Sequence, residues 1–281
     1  MIYPSAQYAA MLFDRTQRLV GPATVQSLRD CCFGVAGCGG VGGAAAILLA
    51  RMGVGRFVLA DPGRFDPPDA NRQWAANSES MGRNKCEQYA QILAEINPNI
   101  HVSVMPEGVN VANVEALASE ADVLLDCLDV SVSIDLRAAL YRHCRRRGIY
   151  CLSAPVLGFG TLLAASDPNG MPMDAFIEVL KSVGRCGKLP AALRGIFAPL
   201  SMDAIERDLP TGRIPSLAIG PALGAAFAST EALIALSGRE SPLWRPPLCL
   251  PRMLAVDALS MKYEFVEIAQ LLDEQKLEVA A

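Results

Sequence analysis

The chain has 281 residues, 52% of them hydrophobic and 19% charged, with a formal net charge of −4. That length supports a sizeable buried core, and the composition excludes a disordered chain. The acidic balance argues against a nucleic-acid surface, and nine cysteines without a regular framework fit a reducing, cytoplasmic setting.

Taken in order, no secretory leader pattern opens the chain, since Met1 to Pro4 lead into a mixed polar segment. Tyr8 to Val20 has apolar residues at helical spacing, and Arg15 and Arg18, three apart, share a helix face. On its own that pair reads equally as a solvated face. Gly21-Pro22 breaks the segment, and Ala23 to Arg29 forms a short helix.

Cys31 to Asp61 is the most informative stretch. Cys31 to Ala36 is an apolar run of strand length, Gly37 to Gly43 (GCGGVGG) a glycine turn, Ala44 to Met52 an alanine-rich helix, and Arg56 to Ala60 a second strand ending at Asp61. G-x-G-x-x-G between a strand and a helix is the context in which the motif indicates phosphate binding. Gly37 allows the tight turn, Gly39 and Gly40 leave room for a phosphate, and Gly42 lets the helix approach the strand. The helix N-terminus offers free N–H groups to an anion. Asp61 is placed to accept hydrogen bonds from ribose hydroxyls. The bland alternative is a ligand-free glycine turn in an α/β core.

Pro62 to Ser80 is rich in Pro, Asp and Asn and reads as a loop carrying Asn71-Arg72-Gln73. A loop at the C-terminal end of a parallel strand is where α/β sheets build ligand sites. Gly82 to Ile96 reads as a helix with Lys85 in its first turn, where the helix dipole disfavours a cation unless an anion sits beside it. A chance surface lysine would tolerate the same position. His101 to Met105 is a strand, Val111 to Ser119 a helix, and Ala121 to Asp126 a buried strand, with Asp126 and Asp129 at its end. Ser131 to Arg147 is a helix whose basic end fits a solvated terminus, and Ile149 to Ala154 is a strand.

The pattern then changes. Gly158 to Ser166 is a strand without a crossover helix after it. Asp167 to Arg213 is a long excursion with weak helical pieces near Met173 to Val183 and Met202 to Arg207. Ala218 to Leu236 is a helix, and the apolar run containing it is interrupted by Pro215, Pro221 and Glu231, so a buried core helix explains it better than a membrane span. Arg252 to Asp257 and Met261 to Val266 form a hairpin, followed by a polar helical tail. The expected fold is α/β: a Rossmann-like doubly wound sheet, parallel in the N-terminal half, with antiparallel strands added in the C-terminal half. The expected organisation is one domain over 1–281: a helical arm (1–29), a nucleotide-binding core (30–166), a crossover excursion (167–213), and a C-terminal helix with antiparallel strands (214–281). His101 and His143 are the only histidines and read as structural.

Several motifs in this order resemble the ubiquitin-activating-enzyme-like adenylyltransferases, the ThiF/MoeB/HesA family. They are F-D-R-x-x-R-L-x-G at Phe13 to Gly21, the glycine turn, G-V-G-x-x-x-L-x-D ending at Asp61, N-R-Q at Asn71 to Gln73, G-x-x-K at Gly82 to Lys85, and D-C-x-D at Asp126 to Asp129. The resemblance implies ATP- and Mg²⁺-dependent adenylation of a carboxylate, often the C-terminus of a ubiquitin-like protein or peptide, in a homodimer. Carried over by motif, Asp61 holds the ribose, Asn71 and Gln73 line the nucleotide, Arg72 and Lys85 contact phosphates, Asp129 binds Mg²⁺, and Arg15 reaches the partner subunit's phosphates. Three positions depart from the family pattern: Gly63 where a second aspartate is common, Asp69 where asparagine is usual, and Val130 where asparagine often follows the magnesium aspartate. The paired C-x-x-C motifs of zinc-holding relatives are absent from the sequence, so no zinc is expected. Two other readings remain: an NAD-dependent oxidoreductase, resting on G-x-G-x-x-G and Asp61 alone, and a non-catalytic nucleotide-binding scaffold for a partner peptide. Of the cysteines, Cys186 is expected in a flexible loop between Arg185 and Lys188 and is the candidate for covalent chemistry, while Cys38 is expected to crowd the phosphate turn. An acyl-adenylate without a cysteine thioester is the expected product.

Overall fold

The structure, a computed structural model, describes Tyr8 and residues 11–212 and 214–272. The start of the expected arm, Arg213 and the polar tail beyond residue 272 lie outside these.

Continuous apolar runs become the central strands. β1 (Cys32–Ala36) and β4 (Val123–Asp126) are buried along their whole length, as strands covered on both faces must be. β2 (Arg56–Ala60) lies on the other side of β1, and β3 (His101–Met105) forms an edge that is largely exposed. β5 is Tyr150–Ser153, β6 the short Val156–Leu157, and β7 Gly160–Ser166. β8 (Arg252–Asp257) and β9 (Lys262–Glu267) make the expected hairpin. The sheet order is β3-β2-β1-β4-β5-β7-β8-β9, with β6 paired to β7. Pairings among β1 to β5 are parallel, and those from β5–β7 onward are antiparallel. The change of pairing falls where the crossover helices stop, as the sequence indicates.

The α-helices whose bounds lie within the described residues are α1 (Asp14–Val20), α2 (Pro22–Asp30), α3 (Gly40–Met52), α4 (Lys85–Ile96), α5 (Val114–Glu120), α6 (Ile134–Arg147), α7 (Asp174–Cys186), α8 (Ala191–Arg194), α9 (Pro199–Asp208) and α10 (Ile219–Ser237). One face of the sheet is covered by α5, α6, α7 and α9, which pack Leu117, Leu140, Phe176 and Met202 into one core. The other is covered by α3, α4 and α10, which contribute Leu49, Leu93 and Ala228 to a second.

α10 is long and apolar enough to cross a membrane by length and composition. Here it packs along α3 and β7 through Gly224, Ala225 and Ala228. Its buried Glu231 pairs with Arg245 and accepts the Leu248 N–H, which pins the following proline-rich segment.

The excursion is more regular than its Gly and Pro content suggests, because α7 is strongly amphipathic and buries Phe176, Ile177 and Val179. Cys186 is therefore the last residue of that helix, not part of a flexible loop, and the left-handed Gly187 ends it.

Candidate functional site

β1, β2 and β4 end side by side, and the chain turns to opposite sides of β1 to reach β2 and β4. That topological switch point is where open α/β sheets bind ligands, and the glycine turn, Asp61 and the Asp126–Asp129 loop all emerge there.

Gly37 has φ +99°, and a Cβ on it would stand 2.3 Å from the Cys127 carbonyl oxygen. Its N–H donates to Ala60 O (2.8 Å), and the Cys127 N–H donates to Ala36 O (2.8 Å), so the turn is clamped by both neighbouring strands. A Cβ on Gly42 would lie 2.0 Å from Gly37 O, which is the close helix–strand approach expected of this position. Gly39 has only the Gln73 amide nitrogen near it, at 4.0 Å. Helix α3 begins at Gly40, inside the glycine motif and four residues earlier than local propensity suggests. Its first N–H groups therefore face the turn.

Asp61 is buried. One carboxylate oxygen accepts the Cys38 N–H (2.6 Å), the other the Gly63 N–H (2.7 Å). Each oxygen keeps a second lone pair for a ligand hydroxyl. A side chain on Gly63 would press on Asp61 Oδ1 at 2.9 Å and on Lys85 Cε at 3.3 Å, so glycine there makes room for the lysine stem. The Cys38 thiol is wholly buried, so it does not crowd the turn as expected, and burial with Asp61 beside it pushes its pKa well up.

The cations converge on one carboxylate. Asp69, 8% exposed, closes a capping box with Asp66 over Pro67–Asn71. Lys85 Nζ lies 3.0 Å from its Oδ2, and Arg72 Nη2 lies 3.5 Å from its Oδ1. Gln73 Nε2 donates to Oδ1 at 2.5 Å, which brings this group beside Gly39. Asn84 caps α4 by accepting the Glu87 N–H (3.2 Å), and its amide donates to Asp61 O (3.0 Å), tying the lysine helix to the second strand. Asn71 links this cluster to the returning chain, its Oδ1 accepting from Arg72 Nη1 at 3.1 Å. Its amide donates to Ser216 O (2.9 Å), and Ser216 bridges Gly158, so the chain returning from the excursion is strapped to both.

Asp126 and Asp129 differ in kind. Asp126 is buried, paired with Arg137 Nε at 2.9 Å, and accepts from the Tyr141 hydroxyl and the Leu128 N–H. Burial alone would lower the Arg137 pKa, but Asp126 raises it overall. Arg137 Nη2 also donates to Leu128 O (2.6 Å) and Asp129 O (3.3 Å), fixing the loop. Asp129 is exposed, with Oδ1 accepting the Ser131 N–H at 2.9 Å. Among the described residues no cluster of three or more His, Cys, Asp or Glu could hold a metal alone. A single exposed carboxylate fits Mg²⁺ only where a bound phosphate supplies further oxygens, since that ion takes one or two carboxylates and completes its shell with phosphate oxygens and water.

Arg15 is not part of this cluster. It is exposed on α1, and its neighbour Phe13 packs near Gly53, the C-terminal end of α3. The glycine turn lies at the opposite end of that 13-residue helix, about 20 Å away.

A family model described as the ThiF family matches residues 13–277. The chain belongs to the ThiF family. The tRNA threonylcarbamoyladenosine dehydratase of Bacillus subtilis is 32% identical over 203 residues, 70% of this chain and 78% of that protein. The sulfur carrier protein ThiS adenylyltransferase of Escherichia coli is 30% identical over 143 residues, 51% of this chain and 56% of that protein. The chain spans about half the length of several curated relatives it matches. Among solved structures, E. coli MccB with ATP superposes with a TM-score of 0.64 at 17% identity, covering 88% of this chain and 66% of that one, which shows a shared fold.

Sequence reasoning found the glycine turn, Asp61, Arg72, Gln73 and Lys85, and these meet at one place. It missed the roles of Asp69 and Arg137. Arg137 did carry a signal, since it is spaced with Leu140, Tyr141 and Cys144 on the buried face of α6.

Proposed function

We propose that this protein is an ATP-dependent adenylyltransferase that activates a carboxylate, the C-terminus of a ubiquitin-like protein or peptide, as an acyl-adenylate. The observation that carries this reading is the meeting of Lys85, Arg72 and Gln73 beside an open glycine turn at the switch point of the sheet. A carboxylate oxygen attacks the α-phosphorus, the bond from that phosphorus to the bridging oxygen breaks, and pyrophosphate leaves with the electron pair. Such chemistry needs placed cations against developing negative charge more than covalent help. Lys85 and Arg72 hold phosphate oxygens, the N-terminus of α3 faces the anion, Asp61 takes the ribose hydroxyls, and Asp129 holds Mg²⁺, which neutralises phosphate charge when bound.

Family membership supports the reading, as do relatives whose names specify adenylyl transfer to the sulfur carrier ThiS and a structural neighbour crystallised with ATP and with the peptide MccA. The dehydratase relatives fit the same first step, because removing water between a carboxylate and a nucleophile is what an acyl-adenylate accomplishes. The position of Arg15, far from its own chain's turn, supports a homodimer in which each subunit lends that guanidinium to the other. The NAD reading leaves the lysine–arginine pair without a task.

ATP–pyrophosphate exchange with candidate carboxylates tests the proposal. Exchange that requires both ATP–Mg²⁺ and a carboxylate is expected. NAD binding without ATP binding in calorimetry would replace it with the oxidoreductase reading, and ATP binding without exchange would leave the scaffold.

A further inference from the structure

The cations of the phosphate subsite already have an anion. Asp69 is almost wholly buried, and the partners of its carboxylate are all donors: Lys85 Nζ at 3.0 Å, Arg72 Nη2 at 3.5 Å, Gln73 Nε2 at 2.5 Å and the Asp66 N–H at 3.2 Å. Lys85 and Arg72 are themselves only 15% and 30% exposed at their side chains, so water does little to screen them from it. Asp61 lies beside the lysine stem, and exposed Asp129 stands on the neighbouring strand end. Asp126 adds no net charge, because Arg137 pairs with it. The two cations thus already have two carboxylates beside them, Asp69 and Asp61, and the cluster carries no net positive charge before any ligand arrives.

We propose that Asp69 is the resident counter-ion of the phosphate subsite and makes it selective for polyphosphate delivered as its divalent-cation complex. The proposal rests on the nucleotide reading given above and concerns which charge state of the nucleotide the site accepts. A metal-free triphosphate must take Lys85 from Asp69 and then sit beside a released carboxylate. A metal-bound triphosphate carries two fewer negative charges, so the released Asp69 carboxylate and Asp129 repel it less. Asparagine at this position has the same shape and keeps one acceptor, which can serve Gln73, but its NH2 cannot accept from Asp66 or Lys85, so it leaves the lysine charge uncancelled. Asp69 acts through Lys85 and Arg72 and is a positioning residue.

The test is calorimetric binding of ATP to the full chain, with magnesium and with a chelator in its place, for wild type, Asp69→Asn and Asp69→Ser. For the wild type, chelation should weaken binding sharply. Either variant should bind metal-free ATP about tenfold tighter than wild type or better, with a change of at most about threefold for ATP–Mg²⁺. A role in holding the loop alone would shift both forms of the nucleotide together, so the ratio of the two affinities is the deciding readout. Equal ratios in wild type and variants, or weaker metal-free binding in the variants, would overturn the proposal while leaving the nucleotide reading in place. If wild type and variants all fail to bind ATP with or without magnesium, the nucleotide reading falls and this inference falls with it.

Discussion

Replacing Arg137 with methionine keeps most of the apolar stem and removes the charge. The partner, Asp126, is 1% exposed at its side chain, and Arg137 is 8% exposed. Breaking such a pair from one side strands a buried charge, which costs about 3–5 kcal/mol. The lower end applies here, because the Tyr141 hydroxyl and the Leu128 N–H still donate to Asp126. A loss of about 3 kcal/mol lowers the melting temperature by roughly 6–12 °C in a chain of this size. Urea unfolding monitored by tryptophan fluorescence, with thermal melts alongside, measures it. Adding Asp126→Asn should restore more than half of the loss, since the stranded charge is then gone, the Leu128 N–H keeps an oxygen acceptor, and the Tyr141 hydroxyl can accept from the new amide. Arg137→Met should also weaken magnesium-dependent turnover beyond its effect on folding, because the guanidinium holds the Leu128 and Asp129 carbonyls. A loss below about 1 kcal/mol for Arg137→Met, or no recovery in the double variant, would refute the account of Asp126 as a buried charge held by this one cation.

Arg72→Ala should melt near wild type and Lys85→Ala at a lower temperature, because the latter takes a partner from the buried Asp69, which keeps its other donors; both should lose most pyrophosphate exchange, and wild-type exchange in either would remove that residue from the phosphate subsite. Mixing inactive Arg15→Ala with inactive Asp129→Ala should regenerate activity if Arg15 serves the partner subunit, and no recovery despite demonstrated subunit exchange would assign it a structural role. Burial pushes the thiols of Cys31, Cys32 and Cys86 up to about 11 and that of Cys249 to about 12. These thiols keep their protons in the folded chain at pH values where the unfolded chain has lost them, so stability should fall as pH rises through roughly 9 to 11. At pH 8 a thiol reagent should modify the exposed Cys186 fast and the buried thiols only after unfolding. Intact mass after incubation with ATP, Mg²⁺ and a cognate carboxylate should show no thioester, because Cys186 ends α7 in the excursion and is not among the residues that meet at the glycine turn.

Strands such as Cys32–Ala36 and Val123–Asp126 were legible because a strand covered on both faces must be apolar throughout. The glycine turn was legible because steric demands at Gly37 and Gly42 leave glycine as the residue that fits. The start of α3 at Gly40 was not, since a helix opening on glycines runs against propensity and is imposed by packing onto β1 and α10. Asp69 was visible only as a departure from a pattern. Its grip on Lys85, Arg72 and Gln73 depends on how the Pro67–Asn71 turn folds back beside α4. The far placement of Arg15 depends on Phe13 and Val25 packing at the foot of α3, a long-range contact that local spacing does not encode.

The strap from Asn71 to Ser216 has a consequence for the order of assembly. The two residues are 145 positions apart, so at about 5–20 residues per second the loop waits roughly 7–30 s during synthesis for its partner to be made. Lys85, Arg72 and Gln73 need no such wait, because their shared acceptor Asp69 is a near neighbour in the chain. The cation cluster should thus be in place on a nascent chain well before the returning segment closes over the strand ends. Pulse-labelled hydrogen exchange on ribosome-bound chains should find the residue 61–96 region protected first and the residue 214–218 region last.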